Sequence, residues 1–223
     1  RKTMNLFKKE GWWMSLDLTV FLSSLFVALM GWLALLSVTS GDWGLSRMAT
    51  RQGVYLALGF GLMIGLSTLD YRKLRPLAWP VFLAANGLLV AVMLPGVGQS
   101  ANGAQRWISL GPLGTLQPSE PAKFATVFLL AHVLAAGLKS RDSFPSRLMF
   151  KSLLLSGLPF ALILLQPDLG TSLVILACAF VMLYLAGCSP LHLIGLITAG
   201  LGILPLILKD YQRARLMVFL NPE

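Results

Sequence analysis

The chain has 223 residues, of which 56% are hydrophobic and only 12% charged, the latter about half the share of an ordinary soluble domain. So few charges exclude a disordered chain and a nucleic-acid-binding domain of ordinary type, and they argue against a soluble globule, whose surface needs more polar cover. The formal net charge of +9 is dispersed between apolar runs, as on the positive flanks of membrane helices.

In chain order, the apolar runs predict seven membrane-spanning helices over 16–39, 52–69, 76–94, 119–138, 148–166, 169–187 and 190–208. Each is near the roughly 20 apolar residues that a bilayer core requires. The first run is too long for a cleavable signal and lacks a small-residue cleavage site. The second carries Gly53, Gly59, Gly61 and Gly65, a small-residue face suited to close helix packing.

Residues 95–117 are expected to form an outer loop, rich in the turn formers Pro95, Gly96, Gly98, Gly103, Gly111, Pro112 and Gly114. Within it Arg106 stands beside Trp107. Trp at a membrane interface is ordinary belt behaviour. The other reading is a contact for a lipid-linked diphosphate sugar, because Arg pairs bidentately with phosphate and Trp offers a flat apolar face to a sugar or acyl chain.

The fourth span opens with Ser119 as expected N-cap and Glu120 in the first turn, where the helix dipole favours an anion. Lys123 follows at i+3, within pairing reach and deep enough that a lone ammonium would be costly. The pair is either a structural pin or the lining of an outward-opening polar cavity in which Lys123 holds an anionic group. His132 and His192 lie on apolar faces and read as helix–helix hydrogen-bonding residues. Asp168, after Pro167, is a good N-cap for the sixth span, with a further functional role left open.

The sixth and seventh spans are separated by the turn Gly187-Cys188-Ser189-Pro190. Cys188 and Cys178 read as small apolar residues. After the seventh span, 209–223 form a second outer segment containing Arg213 and Arg215. It is either a solvated loop start or an electropositive rim that collects an anionic substrate.

Orientation follows from the basic residues of the short loops. Arg1, Lys2, Lys8, Lys9, Arg72, Lys73, Arg75, Lys139, Arg141, Arg147 and Lys151 fall on one side, against Arg47, Arg51, Arg106, Lys209, Arg213 and Arg215 on the other. The excess puts the N-terminus in the cytoplasm. The chain starts with Arg1 and stops at Asn221-Pro222-Glu223, so a piece of a longer protein is expected. It contains no phosphate loop, nucleophile elbow or metal-ligand spacing.

Three stretches in order resemble motifs of the SEDS family (shape, elongation, division and sporulation): Gly103-Ala104-Gln105-Arg106-Trp107-Ile108, Gln117-Pro118-Ser119-Glu120 with Lys123, and Gln166-Pro167-Asp168-Leu169-Gly170-Thr171. The tail, Asp210-Tyr211-Gln212-Arg213 with Arg215 and Asn221-Pro222-Glu223, is more similar to the RodA branch than to the division branch, FtsW. The resemblance implies an all-α, polytopic membrane bundle of about ten helices, of which this chain holds about seven in one domain over 1–223, incomplete at its C-terminus. It further implies a peptidoglycan glycosyltransferase of the bacterial cytoplasmic membrane that polymerises lipid II for lateral wall growth and rod shape. Implied partners are lipid II, a class B penicillin-binding protein, the MreB elongation machinery and membrane lipid, with no nucleic acid. No cofactor is certain, and a divalent cation, Mg or Mn, is left open. Arg106, Trp107, Glu120, Lys123, Asp168, Arg213 and Arg215 would line or support the outward cavity, and the acidic catalytic base would lie beyond Glu223. The alternatives are a lipid II flippase, or a shortened, inactive chain that only binds partners.

Overall fold

The computed structural model describes residues 17–39, 43–101, 104–111, 114–137 and 144–207. The chain divides into two compact units, Arg1–Leu74 and Arg75–Glu223.

In the first unit α1 (Leu18–Thr39) and α2 (Trp43–Ser67) pack together. Asp17 caps α1, its Oδ1 accepting from the Thr19 and Val20 amides at 2.9 and 3.3 Å. The Trp32 indole donates to the Ala49 carbonyl at 2.9 Å, and Phe21 meets Phe60 edge to face at 5.8 Å, so the two helices run antiparallel. Of the second span's glycines only Gly53 serves this contact: a Cβ there would lie 3.1 Å from the Trp32 ring, whereas Gly59, Gly61 and Gly65 have no neighbour within 4 Å. The expected packing face therefore shrinks to one position.

The second helix begins not at 52, as the charge-free run predicts, but at Trp43, and carries Arg47 and Arg51 within it. Arginine stems lie along apolar surface while the heads reach the interface, so the two charges do not end the helix.

A 3-10 segment, Tyr71–Leu77, leads into α3 (Ala78–Ala91). Pro76 and Pro80 remove amide donors, which suits such a loosened entry. In the second unit follow α4 (Ser119–Gly137), α5 (Ser146–Leu165), α6 (Leu169–Leu185) and α7 (Pro190–Ile207). α4 packs on α3, α5 and α6, and α5 on α3 and α6, while α7 has its main contact with α6. Among the described residues Leu18–Val38, Lys73–Ala91 and Ser146–Leu165 are long and apolar enough to cross a bilayer, with shorter apolar helices at Leu169–Leu185 and Pro190–Gly200. The fold is an all-α, multi-pass membrane bundle.

Two apolar clusters lie along α3–α6. One contains Phe82, Leu129, Val133, Leu148 and Leu183, the other Leu89, Ala122, Ile163 and Ile175. The buried polar residues bond mostly within their own helices: Thr126 Oγ1 to Ala122 O at 2.7 Å, Ser156 Oγ to Ser152 O at 2.9 Å, Asn86 Nδ2 to Phe82 O at 2.8 Å. Such back-bonds satisfy polar groups without water and let small side chains sit between helices in an apolar medium.

The loop over 95–117 is not irregular throughout. It holds a three-stranded antiparallel sheet, β1 (Gly98–Ala101), β2 (Ala104–Ser109) and β3 (Thr115–Leu116), in the order β1-β2-β3. β1 pairs Gln99 with Trp107, β2 pairs Ile108 with Leu116, and an irregularity falls between Gln99 and Ser100. Gly98 is required at the start of β1, since a Cβ there would lie 2.2 Å from the Val92 carbonyl oxygen.

The histidines depart from expectation. Neither side chain makes a described cross-helix hydrogen bond; His132 Nδ1 is buried without a partner and His192 is exposed on α7. Both cysteines are free thiols. Cys188, in the turn after α6, lies with its Sγ 3.7 Å from Met149 Sδ, and burial pushes its thiol up.

Candidate functional site

The helices of the second unit alternate in direction, so the C-terminal ends of α3 and α5 and the N-terminal starts of α4 and α6 come together, with the small sheet between α3 and α4 in sequence. Helix ends leave backbone groups without intrahelical partners. At this end of the bundle three side chains supply them.

Arg106, on β2, spends its guanidinium on the turn between α5 and α6. Its Nε donates to the Gln166 carbonyl at 2.9 Å and its Nη2 to the Pro167 carbonyl. Its Nη1 lies 3.5 Å from Asp168 Oδ2. Asp168 is the N-cap of α6, its Oδ1 accepting from the Thr171 amide at 3.2 Å, so one carboxylate oxygen caps and the other faces the arginine. Gln166 is the third member: its Nε2 donates to the Leu89 carbonyl at 2.9 Å, in the last turn of α3, and the residue is buried. The end of α3, the α5–α6 turn and the sheet are thereby tied together by planar donors aimed at carbonyls, with one charge pair alongside.

Glu120 and Lys123 form the expected ion pair, Nζ to Oε1 at 3.0 Å, with side chains 52% and 28% exposed. The pair is neither sealed into the core nor dispersed, and it stands at the start of α4, where the helix dipole favours the carboxylate. Ser119 is not the cap that its sequence position suggested: it is the first helical residue, and its Oγ is buried with no hydrogen-bond partner. The turn Gln117-Pro118 instead begins the helix, with the Glu120 amide donating to Gln117 O and the Ala122 amide to Pro118 O.

Arg106 and Trp107 do not act side by side. They are consecutive on a strand, where successive side chains point to opposite faces, and Arg106 is turned to the α5–α6 turn. The two side chains therefore do not present one shared face, as their adjacency in sequence suggested. Arg213 and Arg215 lie outside the described residues. Gln166 is the member that sequence reasoning passed over; the signal was an amide closing a long apolar run immediately before Pro167, where it must find a backbone partner.

Among the described residues no three of His, Cys, Asp and Glu gather as metal ligands, and Glu120 and Asp168 each already face a cation. The described residues do not form a cage for a resident divalent cation.

Comparison with known proteins agrees with this architecture. The family model described as "Cell cycle protein", which covers FtsW, RodA and SpoVE, matches residues 13–223. A probable peptidoglycan glycosyltransferase FtsW of Geobacter metallireducens is 37% identical over 174 residues, 77% of this chain and 46% of the relative. Its counterpart in Allochromatium vinosum is 35% identical over 220 residues, 93% of this chain and 53% of the relative. The chain thus spans about half the length of these curated relatives. The crystal structure of the rod shape determining protein RodA of Thermus thermophilus superposes with a TM-score of 0.70 at 32% identity, covering 90% of this chain and 62% of RodA. A chain from a solved peptidoglycan synthase complex, studied for coordination of polymerization and crosslinking, gives 0.71 at 34% identity, covering 97% of this chain and 60% of that one. With the family match running over nearly the whole sequence, the chain belongs to the SEDS family.

Proposed function

We propose that the protein to which this chain belongs is a peptidoglycan glycosyltransferase that polymerises lipid II at the outer face of the bacterial cytoplasmic membrane, with its N-terminus in the cytoplasm. The observation that carries the reading is family membership, with relatives named for that activity. What supports it in this chain is the gathering of charged groups and two helix starts at one end of an otherwise apolar bundle, since ionisable residues in a membrane protein mark function by default.

Glycan transfer deprotonates a sugar hydroxyl as it attacks an anomeric carbon and releases a negatively charged diphosphate. Among the described residues, Lys123 is the cation of this end that is not bonded to backbone carbonyls. Its ammonium can leave Glu120 for a diphosphate oxygen, and Glu120 holds it in place until substrate arrives. Arg106, Gln166 and Asp168 keep the floor rigid beneath the bound head group, a positioning role. Trp107, on the other face of β2, would stack an acyl chain or sugar. Arg213 and Arg215 would add positive charge to the rim. The base is assigned to no residue of this chain, and no step is routed through a metal ion.

A class B penicillin-binding protein is the proposed crosslinking partner. The two branches of the family remain distinct proposals: the tail motif favours RodA, elongation and the MreB machinery, whereas the curated relatives carry the name FtsW and favour division. Depletion of each endogenous protein in turn, with rescue by the full-length gene, decides between them.

The activity test is polymerisation of purified lipid II by the full-length protein. Glycan strands are the expected product, with at least about a tenfold loss on Lys123→Gln. Unchanged polymerisation by a folded Lys123→Gln protein sinks the role of that residue. Transbilayer movement of labelled lipid II without polymerisation replaces the enzyme by the flippase reading.

A further inference from the structure

The opposite end of the same bundle holds a recess of about 240 Å³ between the start of α3, the last turns of α4 and the start of α5, lined by Trp79, His132, Ala136, Gly137, Leu148 and Lys151 among others. Three features give it a chemistry. His132 contributes an imidazole to the lining, a polar ring among otherwise apolar α4 side chains. Lys151 is exposed, and Arg147 lies one turn earlier on the same face of α5, with no carboxylate in ion-pair range of either among the described residues. Trp79, 41% exposed at the head of α3, is the amphipathic ring that membrane interfaces collect.

We propose that this recess binds the head group of an anionic phospholipid. The phosphate would lie against the Lys151 ammonium with Arg147 one turn away, Trp79 would flank the glycerol region, and the acyl chains would run down the apolar outer faces of α3–α5. The volume supports a small occupant, since it is below the roughly 300–1,000 Å³ of sites for drug-sized ligands and too small for a disaccharide-peptide. Basic pockets between helices are a general solution for anionic head groups. Gly137 keeps the recess open: a Cβ there would meet Leu148 Cδ1 at 2.6 Å. The proposal uses only the membrane setting and is independent of the reaction assigned to the other end.

Native mass spectrometry of the full-length protein in detergent, titrated with dioleoyl phosphatidylglycerol or dioleoyl phosphatidylcholine, tests it. The expected result is preferential retention of phosphatidylglycerol, reduced about fivefold by Lys151→Gln. Ala136→Leu fills the recess from an exposed position, leaves every charge in place and is expected to remove the preference as well. Arg47→Gln, in the first unit, should change nothing. Equal retention of the two lipids, or equal loss from Arg47→Gln and Lys151→Gln, overturns the proposal. So does a preference that survives Ala136→Leu.

Discussion

The two ends of the α3–α6 bundle solve the same problem differently. At one, the backbone groups released by helix ends are taken up by side chains of the protein itself: Arg106 on two carbonyls, Gln166 on the Leu89 carbonyl, Asp168 on the Thr171 amide. At the other, His132 Nδ1 is left without a partner beside a recess and an exposed lysine. The comparison teaches where each end is rigid. An end tied across three chain segments by such bonds can hold a reacting group to within the fraction of an ångström that transfer chemistry demands. An end with an open recess and an exposed lysine beside it is suited to an exchangeable occupant.

The strongest way to break that contrast is to remove Arg106. Arg106→Ala would orphan two carbonyls and leave Asp168 without its cation. A buried pair broken in this way costs about 3–5 kcal/mol; since the Arg106 side chain is 26% exposed, we expect about 2–3 kcal/mol, read as a lowered thermal unfolding midpoint in detergent. Arg106→Lys keeps the charge but loses the fork, and should recover only part of the difference. If Arg106→Ala unfolds like the parent, this end is not stitched as described.

Next comes Gly98→Ala. The new methyl would meet a backbone oxygen, which cannot rotate away as a side chain can, so the end of α3 or β1 must shift at a cost of about 1–3 kcal/mol. Gly137→Ala, at the open end, is the comparison: its Cβ would meet side-chain atoms of Leu148, which is buried but can yield where a backbone oxygen cannot, so the expected cost is smaller, about 1 kcal/mol. Equal costs at the two glycines would erase the difference in rigidity between the ends.

Asp168 sharpens the comparison by separating its two functions. Asp168→Asn keeps a good N-cap and should cost less than about 1 kcal/mol, through the lost attraction to Arg106. Asp168→Ala removes the cap as well and should cost roughly 1 kcal/mol more. Identical unfolding curves for the two variants would mean that the cap contributes nothing.

What could be read from the sequence follows from how far apart the partners are. Asp168 was legible as a cap because its partner is three residues away, and the Glu120–Lys123 pair because i and i+3 share a helix face. The spans were legible because apolar length alone specifies them. Arg106 was not, since its partners lie some 60 residues further on, and local spacing made Trp107 its natural companion until the strand separated them. The start of α2 is not legible, because Arg47 and Arg51 read as a boundary although both can reach an interface from inside a helix. Ser119 failed as a cap because Pro118 already supplies the turn that begins α4, which carries the serine into the helix.

The smallest expected effect on stability falls on Glu120 and Lys123, and for that reason it discriminates best between a pin and a working pair. An exposed i, i+3 pair contributes about 0.5 kcal/mol or less, so Glu120→Gln, Lys123→Gln and the double variant should unfold within that margin of the parent. Polymerisation of lipid II should fall in each single variant, more for Lys123→Gln, if the ammonium contacts the leaving diphosphate as proposed and Glu120 only holds it ready. The double variant should resemble Lys123→Gln alone, since a carboxylate whose purpose is to place that ammonium has nothing left to place. A double variant as active as the parent would reduce the pair to the end of a helix, and the tied end of the bundle would then be a scaffold without a reacting partner on α4.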